Sequence, residues 1–152
     1  MTKTTLIVAV VSALAAGAMV GGATIAFAQA DIIKQRQENR KATGPLMREI
    51  KATIDSKGDA KIVVTNAAKL KTLEEAFDKM FPKGSDTGDT KALPTVWSDS
   101  AGFAAASKNA MAAYDKLAVA AGSGDFAAMA AAFGDVGKAC GACHQQFRAK
   151  QQ

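Results

Sequence analysis

The last helical segment of the sequence carries the pattern that most constrains the fold. Between positions 126 and 147, apolar and sulfur-containing residues recur at alternating spacings of three and four. This spacing places their side chains on one face of an α-helix and predicts that this face packs into a core. The face consists of Phe126, Met129, Phe133, Val136, Cys140, Cys143 and Phe147.

Three earlier segments carry similar stripes, and none alternates with the period of a strand. Gly58-Asp59, Phe81-Pro82 and Gly122–Asp125 separate the segments, and the polar stretch from Pro82 to Pro94 predicts a surface loop. Two short turns and one long crossover predict an all-α, antiparallel four-helix bundle. The predicted core positions are Val63, Ala67, Leu70, Leu73, Phe77 and Phe81 in the second segment, and Val96, Ser100, Phe103, Ser107, Ala110, Tyr114, Leu117 and Ala121 in the third.

The N-terminal residues differ in character from the rest. Lys3 is followed by an uncharged, mostly apolar run from Leu6 to Phe27, which ends in an A-x-A pattern. This predicts a secretory signal peptide over residues 1–28, cleaved after Ala28 or Ala30, and an exported domain over residues 29–152. The alternative is a retained membrane anchor, because the run approaches the ~20 residues that span a bilayer. Its many small residues favour cleavage, which leaves no membrane span in the mature form.

The formal net charge is +5, and the cations are spread along the chain without a basic run or interleaved aromatic residues. This distribution does not indicate nucleic-acid binding. A mildly positive surface instead favours solubility or attraction to acidic partners.

The first helical stripe is polar in its middle. It comprises Ile33, Arg36, Arg40, Thr43, Met47, Ile50 and Ile54. A buried guanidinium needs an anionic partner, and the sequence pattern places no carboxylate on the other stripes. Two interpretations remain: both arginines reach solvent at the end of the bundle, or they hold a bound anionic group.

The sequence Cys140-Gly-Ala-Cys143-His144 collects the only two cysteines and the only histidine of the chain. Redox catalysis by a Cys-x-x-Cys pair needs a helix N-terminus after a strand, and zinc needs further ligands. A disulfide between the two cysteines would be strained. Covalent attachment of haem c fits all three residues, with two thioethers on one helical face and His144 on the iron. The haem propionates are then the anions that Arg36, Gln37 and Arg40 can hold.

The mature chain resembles the cytochrome c' and cytochrome c-556 family of class II c-type cytochromes. The resemblance rests on "IIKQRQ", "FPKGSDTGD", "ALPTVWSDSAGF" and "AAFGDVGKACGACHQQFR". It implies a periplasmic four-helix bundle with one covalent haem c, attached through Cys140 and Cys143 and ligated by His144. The positions that match haem-contacting residues of the family are Arg36, Gln37, Ser85, Asp86 and Arg148.

The chain departs from the family pattern at Arg40. Low-spin members resemble "RQxxM" here, with the methionine on the iron, whereas this chain has "RQENR". Arginine has no lone pair to give a metal, so we expect five-coordinate, high-spin iron, with Met47 as a remote candidate for a distal ligand. The resemblance implies electron transfer with a redox partner protein, or NO or CO binding, and it allows a homodimer. The sequence offers no catalytic acid, base or substrate pocket beyond the haem, so we do not expect an enzyme.

Overall fold

The computed structural model describes the backbone of residues 20–150 and the side chains of residues 29–150. The predicted signal peptide over residues 1–28 lies outside the residues with described side chains and stays a prediction. Within the described part, no helix has the length and the uninterrupted apolar character that a bilayer crossing requires. The helices are α1 (Val20–Asp55), α2 (Ala60–Asp78), α3 (Thr95–Ser98), α4 (Ser100–Gly122) and α5 (Phe126–Phe147).

Helices α1, α2, α4 and α5 form the predicted antiparallel four-helix bundle, and α3 is a single turn ahead of α4. The starts of α2, α4 and α5 are fixed by aspartates whose carboxylates accept backbone N–H groups of the first turn. The third predicted segment is divided because Asp99 leaves helical geometry to cap α4. Ser100, predicted as a core position, is therefore exposed in the first turn of α4.

The core contains most of the predicted stripe positions. Ile50, Leu70, Leu117, Met129 and Val136 are fully buried at its centre. The prediction for α2 was wrong at one position: Glu74 is buried, whereas Leu73 is only partly buried. Spacings of four, three, four, three and four connect residues 63, 67, 70, 74, 77 and 81, so Glu74 continues the helical face better than Leu73 does.

The four long helices do not pack equally well against their neighbours. Helix α2 packs along α1 and α4, and α4 packs along α5, whereas α1 and α5 approach each other only slightly. The seam between α1 and α5 is therefore the widest of the bundle.

The crossover between α2 and α4 is fastened at the end of the bundle where α5 finishes. The Leu93 N–H donates to the Phe147 carbonyl at 3.0 Å, and the Ala149 N–H donates to the Lys91 carbonyl at 2.8 Å. Phe103 packs edge-to-face against Phe147 and against Phe81, with centroid distances of 5.3 and 4.8 Å. The crossover thus lies against the helix that carries both cysteines.

Candidate functional site

Cys140, Cys143 and His144 lie in the last turns of α5. Cys140 packs against the main core, and Cys143 packs against the aromatic cluster of Val96, Phe103 and Phe147. Both cysteines are half-buried, and His144 is exposed. The helix therefore presents two thiols and an imidazole at the edge of the core, where a further group can reach all three.

The chemistry of the two thiols does not fit redox catalysis. Neither cysteine is in a disulfide. Burial raises the pKa of Cys140, and it raises the pKa of Cys143 to about 11, with a smaller contribution from the charge of Glu74. A catalytic thiol needs a lowered pKa, so these two cysteines lack the activation that thiol–disulfide exchange requires.

The residues that the structure describes also fail to assemble a zinc site, because they include no cluster of three or more His, Cys, Asp or Glu side chains suited to a metal ion. His144 itself is suited to bind one metal as a single ligand. Burial is the main cause that lowers the pKa of His144, and the charges of Arg148 and Arg40 lower it further. The neutral imidazole, which has a free lone pair, therefore predominates at neutral pH.

Arg36 is 5% exposed, so the interpretation that it reaches solvent is wrong. Its guanidinium donates to the Met80 carbonyl at 2.7 Å, to the Ser85 carbonyl at 2.8 Å and to the Ser85 hydroxyl. It also lies 4.3 Å from the centroid of the Phe81 ring, and burial lowers its pKa. Arg36 therefore attaches α1 to the crossover, and three of its five N–H groups are used in doing so.

Arg40 has an anionic partner that the sequence analysis missed. One terminal nitrogen of Arg40 lies 2.8 Å from a Glu74 carboxylate oxygen, and the guanidinium carbon lies 3.5 Å from the centroid of the Phe77 ring. The expectation that no other stripe supplies a carboxylate is wrong, because Glu74 is 6% exposed on the inner face of α2. Ser107 donates to the other carboxylate oxygen at 3.4 Å. We call Arg40, Glu74, Phe77 and Ser107 the Arg40 cluster.

One terminal nitrogen of Arg40, Nη2, is buried and has no hydrogen-bond partner among the described residues. The charges of Arg40 and Glu74 also contribute to the pKa shifts of Cys140, Cys143 and His144. A buried N–H without an acceptor costs about 1–3 kcal/mol. The structure thus contains a buried donor that needs an acceptor beyond the described residues.

A haem fits this arrangement on three observations. Few backbone contacts join α1 to α5, the two thiols and the imidazole lie in the last turns of α5, and the unsatisfied Arg40 donor lies on α1. The thiols can hold the porphyrin edge as thioethers and His144 can bind the iron. Bound haem supplies reversible one-electron chemistry and an iron that can accept ligands.

The other predicted haem contacts are arranged around the crossover. Gln37 donates to the Asp89 carbonyl at 3.0 Å, and Asp86 is exposed beside the buried Ser85. Arg148 is half-buried directly after α5, where its N–H donates to the His144 carbonyl at 3.2 Å. Their contacts with haem stay predictions, as does ligation by Met47, which packs against the main core.

Tyr114 is a neighbour of the site that the sequence analysis treated only as a packing residue. It is 3% exposed on α4, and its hydroxyl lies 3.9 Å from the Cys140 sulfur. Burial raises the pKa of Tyr114 well above its usual value. Position 114 on the α4 stripe indicated burial, but nothing in the sequence paired it with Cys140.

Comparison with known proteins is consistent with this geometry. The family model described as Cytochrome C' matches residues 31–148. A cytochrome c' of Rubrivivax gelatinosus is 46% identical over 93 residues, covering 60% of this chain and 72% of the relative. A cytochrome c' of Rhodopseudomonas palustris is 35% identical over 144 residues, covering 90% of this chain and 94% of the relative.

Solved structures agree with the sequence relatives. A nitric oxide complex of a cytochrome c prime variant from Alcaligenes xylosoxidans superimposes with a TM-score of 0.73 at 32% identity, covering 81% of this chain and 97% of that one. A carbon monoxide complex of another variant of the same protein gives a TM-score of 0.72 at 32% identity, covering 80% of this chain and 97% of that one.

Proposed function

Because the chain belongs to the cytochrome c' family, which binds one covalent haem c, we propose that it is a periplasmic electron-transfer cytochrome with five-coordinate, high-spin iron. Cys140 and Cys143 hold the haem and His144 is the axial ligand. The observation that carries the proposal is Arg40, which stands where low-spin relatives have methionine. Its side chain is engaged by Glu74, and a guanidinium cannot ligate iron.

This chain's residues control the surroundings of the iron rather than a chemical step. His144 offers a neutral nitrogen, the buried Tyr114 hydroxyl lies beside the Cys140 sulfur, and Arg36 holds the crossover over the same end of the bundle. That the protein transfers electrons and is not an enzyme is part of this proposal. Loss of a methionine ligand lowers the reduction potential relative to a His/Met haem.

The absorption spectrum of the purified holoprotein tests the coordination. Five-coordinate iron gives broad high-spin bands, whereas a sharp reduced α-band would show a six-coordinate, low-spin c-556-type carrier and contradict the proposal. In Arg40→Met, we expect low-spin bands to appear because a thioether then stands at the family position. An unchanged Arg40→Met spectrum would mean that residue 40 does not face the iron. Lys41→Met, at an exposed neighbouring position, is the control.

A second candidate function is binding of NO or CO in an NO-protective role. It is favoured by the nitric oxide and carbon monoxide complexes of the Alcaligenes relative. Titration of the ferrous protein with each gas distinguishes the two functions when combined with electron-exchange rates. Tight gas binding with slow electron exchange favours the second function, and fast electron exchange with weak gas binding favours the first.

We also propose that the protein forms a homodimer through the outer faces of α1 and α2. The structure contains a groove between these helices whose lining is mainly apolar. Ile62 and Val64, both 36% exposed, lie on the same helix as one wall of the groove. The groove is lined by Ala42, Leu46, Val64, Thr65, Ala68, Lys69, Thr72 and Leu73.

A further inference from the structure

The buried Nη2 of Arg40 is the one part of the Arg40 cluster that its neighbours leave unsatisfied. The other terminal nitrogen is paired with Glu74 at 2.8 Å, and Nε donates to the Asn39 side-chain oxygen at 3.1 Å. Stacking on the Phe77 ring fixes the plane of the guanidinium. The direction of the remaining N–H groups is therefore set by contacts to two helices, and they need an acceptor that the described residues do not provide.

Two acceptors are available once the haem is bound: a haem propionate, or a ligand on the open side of the iron. A propionate would place a second carboxylate beside the buried Glu74, where two like charges oppose each other. A small anion on ferric iron is already paired with the charge of the metal. The charge pairing that Arg40 needs is supplied by Glu74, so the propionate is not required to compensate a buried cation.

We propose that Arg40, held in place by Glu74, makes the open side of the haem a binding site for small anions in preference to neutral diatomic gases. The inference rests on the proposed function, because it needs an iron with an open sixth position. Since the Arg40–Glu74 pair is neutral as a whole, the preference comes from the directional N–H donor rather than from net charge. Arg40 is thus a specificity-determining residue for this site.

Fluoride is a suitable probe, because it is a small anion that accepts hydrogen bonds and changes the ferric spectrum when it binds. Titration of the ferric holoprotein at constant pH and ionic strength is expected to give an affinity at least tenfold higher than that of Arg40→Leu, equivalent to about 1.4 kcal/mol. CO, which is neutral, is expected to bind the ferrous forms of both proteins with affinities within a factor of three. Lys41→Leu, which changes an exposed cation on the same helix, is the matched control and keeps the wild-type fluoride affinity.

Equal fluoride affinity in the wild type and Arg40→Leu would overturn the inference, and so would an equal loss in Lys41→Leu. Should Arg40→Leu fail to fold, Arg40→Gln retains a donor for Glu74 without the charge and is expected to weaken fluoride binding at least threefold. Failure of the proposed function is read separately, from a low-spin spectrum before any anion is added. In that case the iron lacks the open sixth position that the inference needs, so both are overturned, whereas a high-spin spectrum with equal fluoride affinities overturns the inference alone.

Discussion

Glu74 is the charge partner of Arg40 inside the bundle. The pair links α1 to α2 at 2.8 Å, and the Arg40 side chain keeps 32% of its surface exposed. The carboxylate is nearly enclosed, and Ser107 donates to it from α4. Three helices therefore share one polar cluster.

We expect Glu74→Gln to lower the free energy of unfolding by about 1–3 kcal/mol, because Arg40 loses its anionic partner while partial exposure limits the cost. Chemical denaturation of the haem-loaded protein measures this change. Glu75→Gln, at the exposed neighbouring position, is the control and is expected to stay within ~0.5 kcal/mol of the wild type. Equal losses in both variants would mean that the pair with Arg40 is not the cause.

Tyr114 predicts a pH dependence of stability. Burial is the main cause of its raised pKa, and its ordinary value is 10.0. Below that value both the folded and the unfolded chain keep the phenol neutral, so the contribution of Tyr114 to stability is fully present. Above about pH 10 the unfolded chain loses the proton first, which favours unfolding.

Urea denaturation between pH 8 and pH 11.5 should therefore show a steeper loss of stability in the wild type than in Tyr114→Phe. The substitution keeps the ring and removes the titrating hydroxyl, and the lysines are shared by both proteins. Because the chain has a single tyrosine, ultraviolet absorption of tyrosinate assigns the titration. Parallel stability curves above pH 10 would contradict the prediction.

At the scale of helices, the crossover depends on one side chain of α1. Arg36 donates to the Met80 carbonyl, the Ser85 carbonyl and the Ser85 hydroxyl, and Ser85 is 1% exposed. The segment has little secondary structure of its own beyond the short α3. Its backbone groups near residues 80–85 are therefore ordered largely by contacts with a different helix.

We expect Arg36→Met to loosen the crossover while leaving the helices formed, because the apolar replacement fills volume but donates no hydrogen bond. Limited proteolysis and hydrogen exchange should show at least tenfold faster cleavage or exchange within residues 80–90, with unchanged far-ultraviolet circular dichroism. Lys34→Met, whose side chain is 74% exposed on the same helix, serves as the control. Protection that matches the wild type would show that the aromatic cluster holds the crossover without Arg36.

The helices could be predicted from the sequence because their stripes repeat strictly and are separated by Gly, Pro and Asp. The α5 stripe predicted that Cys140 and Cys143 face the core, and both pack against buried core residues while remaining half-buried. The Arg40 partner could not be recognised as readily. Leu73 is more hydrophobic than Glu74 and is therefore the residue that the sequence predicts to be buried. Burial of Glu74 becomes favourable only when Arg40 of another helix lies beside it.

At the scale of the whole molecule, the α1–α2 groove predicts the state of association. Val64→Lys places a charge in an apolar lining that already includes Lys69, so a second copy would be repelled. Sedimentation velocity of the haem-loaded protein over a range of concentrations should show a dissociation constant at least tenfold higher than that of the wild type.

Val119→Lys changes a residue that is 75% exposed on α4 and absent from the groove lining, so it is expected to leave association unchanged. A wild-type protein that stays monomeric up to millimolar concentration would contradict the dimer. Equal weakening by both substitutions would show that the groove is not the interface.

The wide α1–α5 seam also has a consequence for the order of folding. Helices α1, α2 and α4 precede the haem-attachment residues in the chain, so they are synthesised first. Their mutual contacts, α1 with α2 and α2 with α4, are the ones that the polypeptide itself makes extensively. The seam between the first and last helices receives few contacts from the polypeptide, so a haem bound there would add apolar surface to it. We therefore expect this seam to close last, when the haem is already joined to Cys140 and Cys143.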